Sequence, residues 1–226
     1  MGEHLLPGNP PIAVTLRRSA RARRISLRVS ALDGRVTLTL PRGLPEREAL
    51  EFARSKQAWL QGHLDGRTPE VQAIPGAEIP VEGQMLRIQA GAGKRVTPTG
   101  GALVVPGGQP ARLQAWLKTL ARDRLATASD RYAAALGRPY GKLSLRDTRS
   151  RWGSCSSSAG LSYSWRLIMA PPEVLEYVAA HEVAHLEQMN HSPAFWTLVG
   201  NLMPAYETHR RWLRQHGAEL HRYRFD

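Results

Sequence analysis

The strongest constraint on this chain is a pair of histidines embedded in an apolar segment near residue 180. His181 and His185 are four residues apart, with Glu182 between them. The surrounding residues are apolar: Val178, Ala179, Val183, Ala184 and Leu186. Such a segment predicts a buried helix, on which residues four apart differ by about 40° and share one face. Two imidazoles on that face can bind one metal ion, and ligation offsets the cost of burying them.

A catalytic metal site of this kind needs a third protein ligand, because zinc usually takes three and leaves one position for water. His191 is the first candidate. The helix is expected to end near Met189 and Asn190, and Asn tolerates the left-handed conformation that would turn the chain back. Glu207 and His209, on a later helix, are the alternatives. The expected cofactor is Zn²⁺.

Glu182 is expected to be the general base. It lies about 100° round the helix from His181, so its carboxylate can reach a metal-bound water without replacing it as a ligand. Zinc lowers the pKa of that water towards about 7, and a carboxylate can then accept its proton at neutral pH. The pattern H-E-x-x-H-x5-H therefore predicts a zinc-dependent hydrolase.

The first half of the chain has the periodicity of strands. Apolar residues alternate with polar ones between Ile12 and Leu40, and Asp33-Gly34 predicts a hairpin turn. Helical spacing over residues 46–64 predicts one short helix, and glycines and prolines separate β-prone runs between 75 and 106. Residues 1–105 are therefore expected to form a β-rich module with one helix.

The second half has helical texture, and the Pro-Gly-rich residues 106–110 predict a linker before it. We expect an α+β domain over residues 111–226, with a small sheet packed on helices. Its predicted elements are a helix over 111–136, a hairpin of strands 142–147 and 160–168 joined by a loop at 149–155, and helices over 171–189, from Ser192-Pro193, and over 205–216.

Composition excludes several classes of protein. A hydrophobic fraction of 42% allows a folded core, while no apolar run has the length of a membrane span or a secretory signal. The single cysteine, Cys155, cannot form an internal disulfide and is expected to be a small buried apolar group. A cytoplasmic protein without membrane association is therefore expected. His4, His63, His216 and His221 are expected to be exposed.

Several further segments carry a resemblance. They are Arg151-Trp152-Gly153-Ser154-Cys155, Ala170-Pro171-Pro172, His181-Glu182-Val183-Ala184-His185-Leu186, Asn190-His191-Ser192-Pro193-Ala194-Phe195-Trp196 and Met203-Pro204. Through them the stretch from Arg149 to Leu213 resembles the YgjP-like metallopeptidases, relatives of the SprT-like and minimal gluzincin proteins. The resemblance implies a zincin-like catalytic domain, zinc on His181, His185 and His191, and Glu182 as the base.

Three functions follow as expectations. The first is peptide-bond hydrolysis, with an extended polypeptide lying along the edge of the hairpin at Gly160 to Ile168. The second is metal-dependent hydrolysis of UTP to UMP and pyrophosphate, which the resemblance implies, although no glycine-rich phosphate cradle is present. Arg151 either binds an anionic group of the substrate or anchors the hairpin, and the second role is favoured.

The third function involves nucleic acid. The net charge is +12, and six arginines fall in one short segment: Arg17, Arg18, Arg21, Arg23, Arg24 and Arg28. A solvated, arginine-rich strand pair is the favoured interpretation. The alternative is that the basic N-terminal module binds nucleic acid and brings the metal domain to proteins bound there, as SprT-like relatives imply.

Overall fold

Strands and helices are mixed along the whole chain, which confirms the α+β class. The computed structural model describes residues 2–30, 33–66 and 69–226. Two compact units are present, Met1–Pro69 and Glu70–Asp226. In the described part of the chain, no helix combines the length and the apolar character needed to cross a membrane.

The first unit is a four-stranded sheet with two short helices. Strands β1 (Glu3–Leu6), β2 (Ile12–Ser19), β3 (Ser26–Val29) and β4 (Val36–Pro41) pair in the order β1-β2-β4-β3, and the helices are α1 (Glu46–Ser55) and α2 (Gln57–Asp65). The predicted hairpin is confirmed, since β3 and β4 are antiparallel. The single helix predicted over 46–64 is wrong, because the backbone leaves helical geometry at Lys56, where φ is −104° and ψ is 12°.

The second unit begins with a small sheet and a long helix. Strands β5 (Val71–Gln72), β6 (Glu78–Val81), β7 (Gln84–Gly91), β8 (Thr97–Thr99) and β9 (Ala102–Pro106) precede α3 (Pro110–Leu136). Strands β6 to β9 form one sheet in the order β6-β7-β9-β8. The predicted long helix is confirmed, and it ends at Gly137, which has a left-handed φ of 67°.

The remaining elements follow α3 in the chain. They are strands β10 (Leu143–Arg146), β11 (Gly153–Cys155) and β12 (Leu161–Ser164), a 3₁₀ segment (Trp165–Met169), helices α4 (Pro172–Ala184), α5 (Pro193–Leu202) and α6 (Tyr206–His216), a second 3₁₀ segment (Gly217–His221) and β13 (Tyr223–Arg224). Strand β13, near the end of the chain, pairs in parallel with β5, the first strand of this unit.

The division between the units differs from the predicted boundary at residues 106–110. Ile79, Ile88 and Leu103 of the β6–β9 sheet are buried in the same core as Leu113 and Leu117 of α3. The Pro-Gly-rich residues therefore form a tight connection inside one unit, and the division falls at Pro69 and Glu70 instead. Local composition predicts a turn there, but it cannot tell a linker from a turn whose flanking elements pack together.

The second predicted hairpin is also wrong. Strand β12 is central, with β10 parallel to it on one side and β11 antiparallel on the other. Part of the expected loop at 149–155 is therefore an edge strand. The segment Trp165–Met169 is buried as a 3₁₀ segment instead of continuing the strand, because a short, fully buried segment has no alternation that distinguishes strand from helix.

Helix α4 ends earlier than predicted. Its last residue is Ala184, and His185 caps it, whereas the sequence predicts an end near Met189. A turn follows, in which the N–H of Gln188 bonds to the carbonyl of Ala184 at 3.0 Å. The predicted cap of the next helix is confirmed, since Ser192 Oγ accepts from the Phe195 N–H at 3.4 Å.

Candidate metal centre

Three histidines converge where α4 ends. His181 lies in the last turn of the helix, His185 caps it, and His191 precedes α5. Their ligating nitrogens all lie within 4.8 Å of one another, and the two Nε2 atoms of His181 and His191 are 3.0 Å apart. Neither Glu207 nor His209 belongs to this group. The structure therefore brings together the three histidines singled out in the sequence.

The spacing of these nitrogens fits a single metal ion. When two bonds of about 2.0–2.1 Å meet at a tetrahedral ion, the ligating atoms lie about 3.3 Å apart, close to the separation of His181 and His191. Nδ1 of His185 lies 2.9 Å from the carbonyl oxygen of Gln188. That bond places the ring proton on Nδ1 and leaves the lone pair of Nε2 for a metal.

Burial favours the neutral form of His181 and His185, the form that metal ligation requires. Desolvation is the main reason that the pKa of His181 falls to about 3, and the neighbouring His185 and His191 lower it further. Burial also lowers the pKa of His185. Nδ1 of His181 has no hydrogen-bond partner among the described residues, so ring contacts orient this side chain, including that with Phe195 at 4.9 Å between centroids.

Glu182 follows His181 on α4 and is only 5% exposed. A Cβ atom placed on Gly153 would lie 2.5 Å from Oε1 of Glu182, so only glycine leaves room for this carboxyl group. The backbone N–H of Cys155 donates a hydrogen bond to it. Burial raises the pKa of Glu182 to about 8, while the charge of Arg151 and the Cys155 bond oppose that rise. The group can thus gain and lose a proton near neutral pH.

The segment from Arg151 to Cys155 supports the acid from the edge of the three-stranded sheet. Arg151 is exposed and acts electrostatically on Glu182. The Trp152 ring contacts that of His221 in a tilted arrangement with ring centroids 5.1 Å apart, and His221 is half-buried instead of exposed as expected from sequence. Cys155 is half-buried, and burial is the main cause of the raised pKa of its thiol. It stands outside the metal-ligating group.

A second layer around the histidines was not predicted. The guanidinium of Arg210 lies 4.2 Å from the ring centre of Trp196, and Trp196 stacks on His191 at 5.7 Å and on Tyr206 at 5.6 Å. The charge of Arg210 also lowers the pKa of His181. No motif marks Arg210, and Gln188 acts through its backbone carbonyl, which carries no signal in the sequence.

A match to a protein family covers this site. No curated protein and no solved structure gives a significant match to the chain. A family model described as the YgjP-like metallopeptidase domain matches residues 23–216, a range that includes the histidine group, Glu182 and the Arg151 to Cys155 segment. A metallopeptidase family implies a metal cofactor, and the three histidines offer a suitable ligand set. The chain belongs to the YgjP-like metallopeptidase family.

Proposed function

We propose that the protein is a zinc-dependent peptidase in which His181, His185 and His191 hold the metal and Glu182 is the general base. The observation that carries this proposal is the placement of a buried, hydrogen-bonded carboxyl group beside three converging imidazoles. Three neutral nitrogen ligands with one open position are the usual set of a catalytic zinc ion. We also propose that this catalytic domain is zincin-like.

The reaction depends on a proton carried by Glu182. When bound, zinc supplies Lewis-acid activation of water and of the scissile carbonyl. A carboxylate oxygen of Glu182 accepts the proton of the attacking water and then donates it to the leaving amine. The Cys155 N–H fixes this carboxylate, and the absence of a side chain at Gly153 lets it stay in its buried position.

The substrate is proposed to lie along β11, which replaces the edge predicted at Gly160 to Ile168. Strand β12 is central and its edges are covered. The carbonyl of Trp152 accepts from the N–H of Ser164 in β12, and the N–H of Ser156 donates to the carbonyl of Gly160 just before β12, so the alternate backbone groups at Gly153 and Cys155 point away from β12. An extended peptide can pair with the remaining free groups of that edge, beside Glu182.

A second candidate function rests on the first unit. All six arginines between residues 17 and 28 are exposed. In the described part of the chain only Arg18 among them pairs with an acid, Glu46, at 3.3 Å. This surface supports recruitment to nucleic acid by the first unit. Salt-dependent retention on DNA that disappears when residues 1–69 are removed would support it, and equal retention without them would refute it.

The test of the peptidase compares zinc-loaded wild type with Glu182→Gln on an unfolded protein and, separately, on UTP. Products are identified by mass spectrometry. Peptide fragments that depend on Glu182 are the expected result. Release of UMP and pyrophosphate that depends on Glu182, with no peptide products, would replace the peptidase by a nucleotide hydrolase.

A further inference from the structure

One face of the three-stranded sheet is lined with hydroxyl groups. Ser144 of β10 pairs in register with Ser162 of β12, which in turn pairs with Ser154 of β11. Residues in register across a sheet point to the same face, so these serines form a continuous row. The adjacent position on β12, Tyr163, is buried in the core on the opposite face. The serine row therefore lies on the face of the sheet that points away from the core, and we call it the floor.

This floor lies in a cleft of about 690 Å³ that contains three cations. Lys142, Arg146 and Arg151 line it with six hydroxyl side chains, and none of the described lining residues is acidic or aromatic. Asp147, next to Arg146 in the chain, is bound to Arg166 at 2.7 Å and so has a cationic partner elsewhere. An ordinary solvated sheet face mixes both signs of charge, whereas the charged side chains that line this cleft are all cations.

The cleft shares two residues with the surroundings of Glu182. Arg151 and Cys155 both line it. The same Arg151 acts electrostatically on Glu182, and the same Cys155 donates its N–H to that carboxyl group. Gly153, where an added Cβ atom would meet Glu182, alternates with Ser154 along β11, so this carboxyl group and the serine row lie on opposite faces of the sheet, on either side of the β11 edge.

We infer that the cleft binds acidic side chains of a polypeptide substrate. This inference rests on the proposed peptidase function. Lys142, Ser144 and Arg146 alternate along one strand, so their side chains follow one another at about 6.6 Å. An extended peptide with carboxylates at alternate positions has the same spacing. Carboxylate oxygens accept hydrogen bonds from both hydroxyl and guanidinium groups.

A polypeptide fits the cleft better than a nucleotide does. Bases are bound in proteins largely by stacking on aromatic side chains, and the described lining residues include none.

The test measures binding by fluorescence anisotropy on the full-length, zinc-loaded Glu182→Gln protein, which cannot cut the probe. Two extended peptides are compared, identical except that one carries Glu where the other carries Gln. The Glu peptide is expected to bind about ten-fold more tightly, and the preference should weaken as salt rises. The double substitution Lys142→Ser with Arg146→Ser should abolish the preference.

The matched control is Lys94→Ser with Arg95→Ser, which removes the same charges from exposed residues of the same unit. It should retain the preference. Equal binding of the two peptides, or a preference that survives Lys142→Ser with Arg146→Ser, would overturn the inference. So would tighter binding of UTP or of a single-stranded oligonucleotide to the same residues. Since binding requires no cleavage, the result can be read even if the proposed peptidase activity fails.

Discussion

Gly153 and Glu182 touch because a missing side chain on one strand leaves space for a carboxyl group from the neighbouring helix. This contact explains why a glycine stands at the centre of the Arg151 to Cys155 segment, whose role the sequence left open between anchoring and binding substrate. The segment positions the acid through Gly153 and the Cys155 N–H, while Arg151 remains exposed towards a cleft.

Gly153→Ala is expected to displace the carboxyl group of Glu182 and to reduce kcat about 100-fold, because an error of about 1 Å in a catalytic group has an effect of that size. Zinc content should be unchanged, since the atoms nearest to the added Cβ atom belong to Glu182 and not to a histidine. Steady-state kinetics and metal analysis check this. Gly200→Ala, where a Cβ atom meets only an ordinary contact at 3.7 Å, is the control. Wild-type kcat in Gly153→Ala would contradict the contact.

Among the helices and strands, the sequence predicted long, periodic or capped segments well, and it predicted strand pairing poorly. Helix α3 has regular apolar spacing and a terminal glycine, so its bounds follow from local rules. The partners of β10 and β11 depend on packing against α3 and α4, which no local pattern contains. The approach of His191 to the other two histidines was predicted although the predicted end of α4 was wrong. The turn that follows Ala184 still brings His191 back to the helix.

Near the end of the chain, His221 lies among charged residues that follow strand β10 or belong to the first 3₁₀ segment. Burial is the main reason that its pKa falls to about 4. Arg166 and Arg149 lower the pKa further, while Asp147 raises it. Arg166 also donates to the carbonyl oxygens of Leu220 and Tyr223 at 3.1 Å. Protonation of His221 would therefore weaken a packed junction.

Acidification should destabilise this junction. The unfolded histidine titrates near about 6.5, so the unfolded state binds more protons than the folded state between that pH and about 4, and stability falls as pH decreases through this window. Thermal unfolding of wild type and His221→Gln between about pH 7 and about pH 5 measures the effect. The decrease in Tm should be smaller in His221→Gln, and the exposed His63→Gln should behave as wild type. Equal decreases in all three would refute the assignment.

For the whole molecule, the sequence indicated an N-terminal β-rich part and a C-terminal part with the site, but it placed the division too late. The sheet of β6 to β9 shares its core with α3, and strand β13 pairs with β5. Core sharing of this kind depends on contacts distant in sequence, so glycine and proline content did not locate the division.

Residues 70–226 should therefore form a cooperative unit, whereas residues 111–226 should not. Removal of the earlier segment takes Ile79, Ile88, Leu103 and Val105 out of the core. Four such side chains contribute about 6–12 kcal/mol by burial, comparable with the total stability of a domain of about 5–15 kcal/mol. Circular dichroism during thermal unfolding distinguishes the fragments. A sharp transition for 111–226 would support the division at 106–110 instead.

We propose above that three histidines hold a zinc ion while Glu182 acts on the proton of water. The direct measurement determines zinc per chain and peptide hydrolysis in parallel for wild type, Glu182→Gln and His185→Ala. Wild type and Glu182→Gln should each hold one zinc ion. Hydrolysis by Glu182→Gln should be at least about 100-fold slower than by wild type. His185→Ala should lose both the metal and the activity. Hydrolysis at the wild-type rate in either variant, or full zinc content in His185→Ala, would contradict the account.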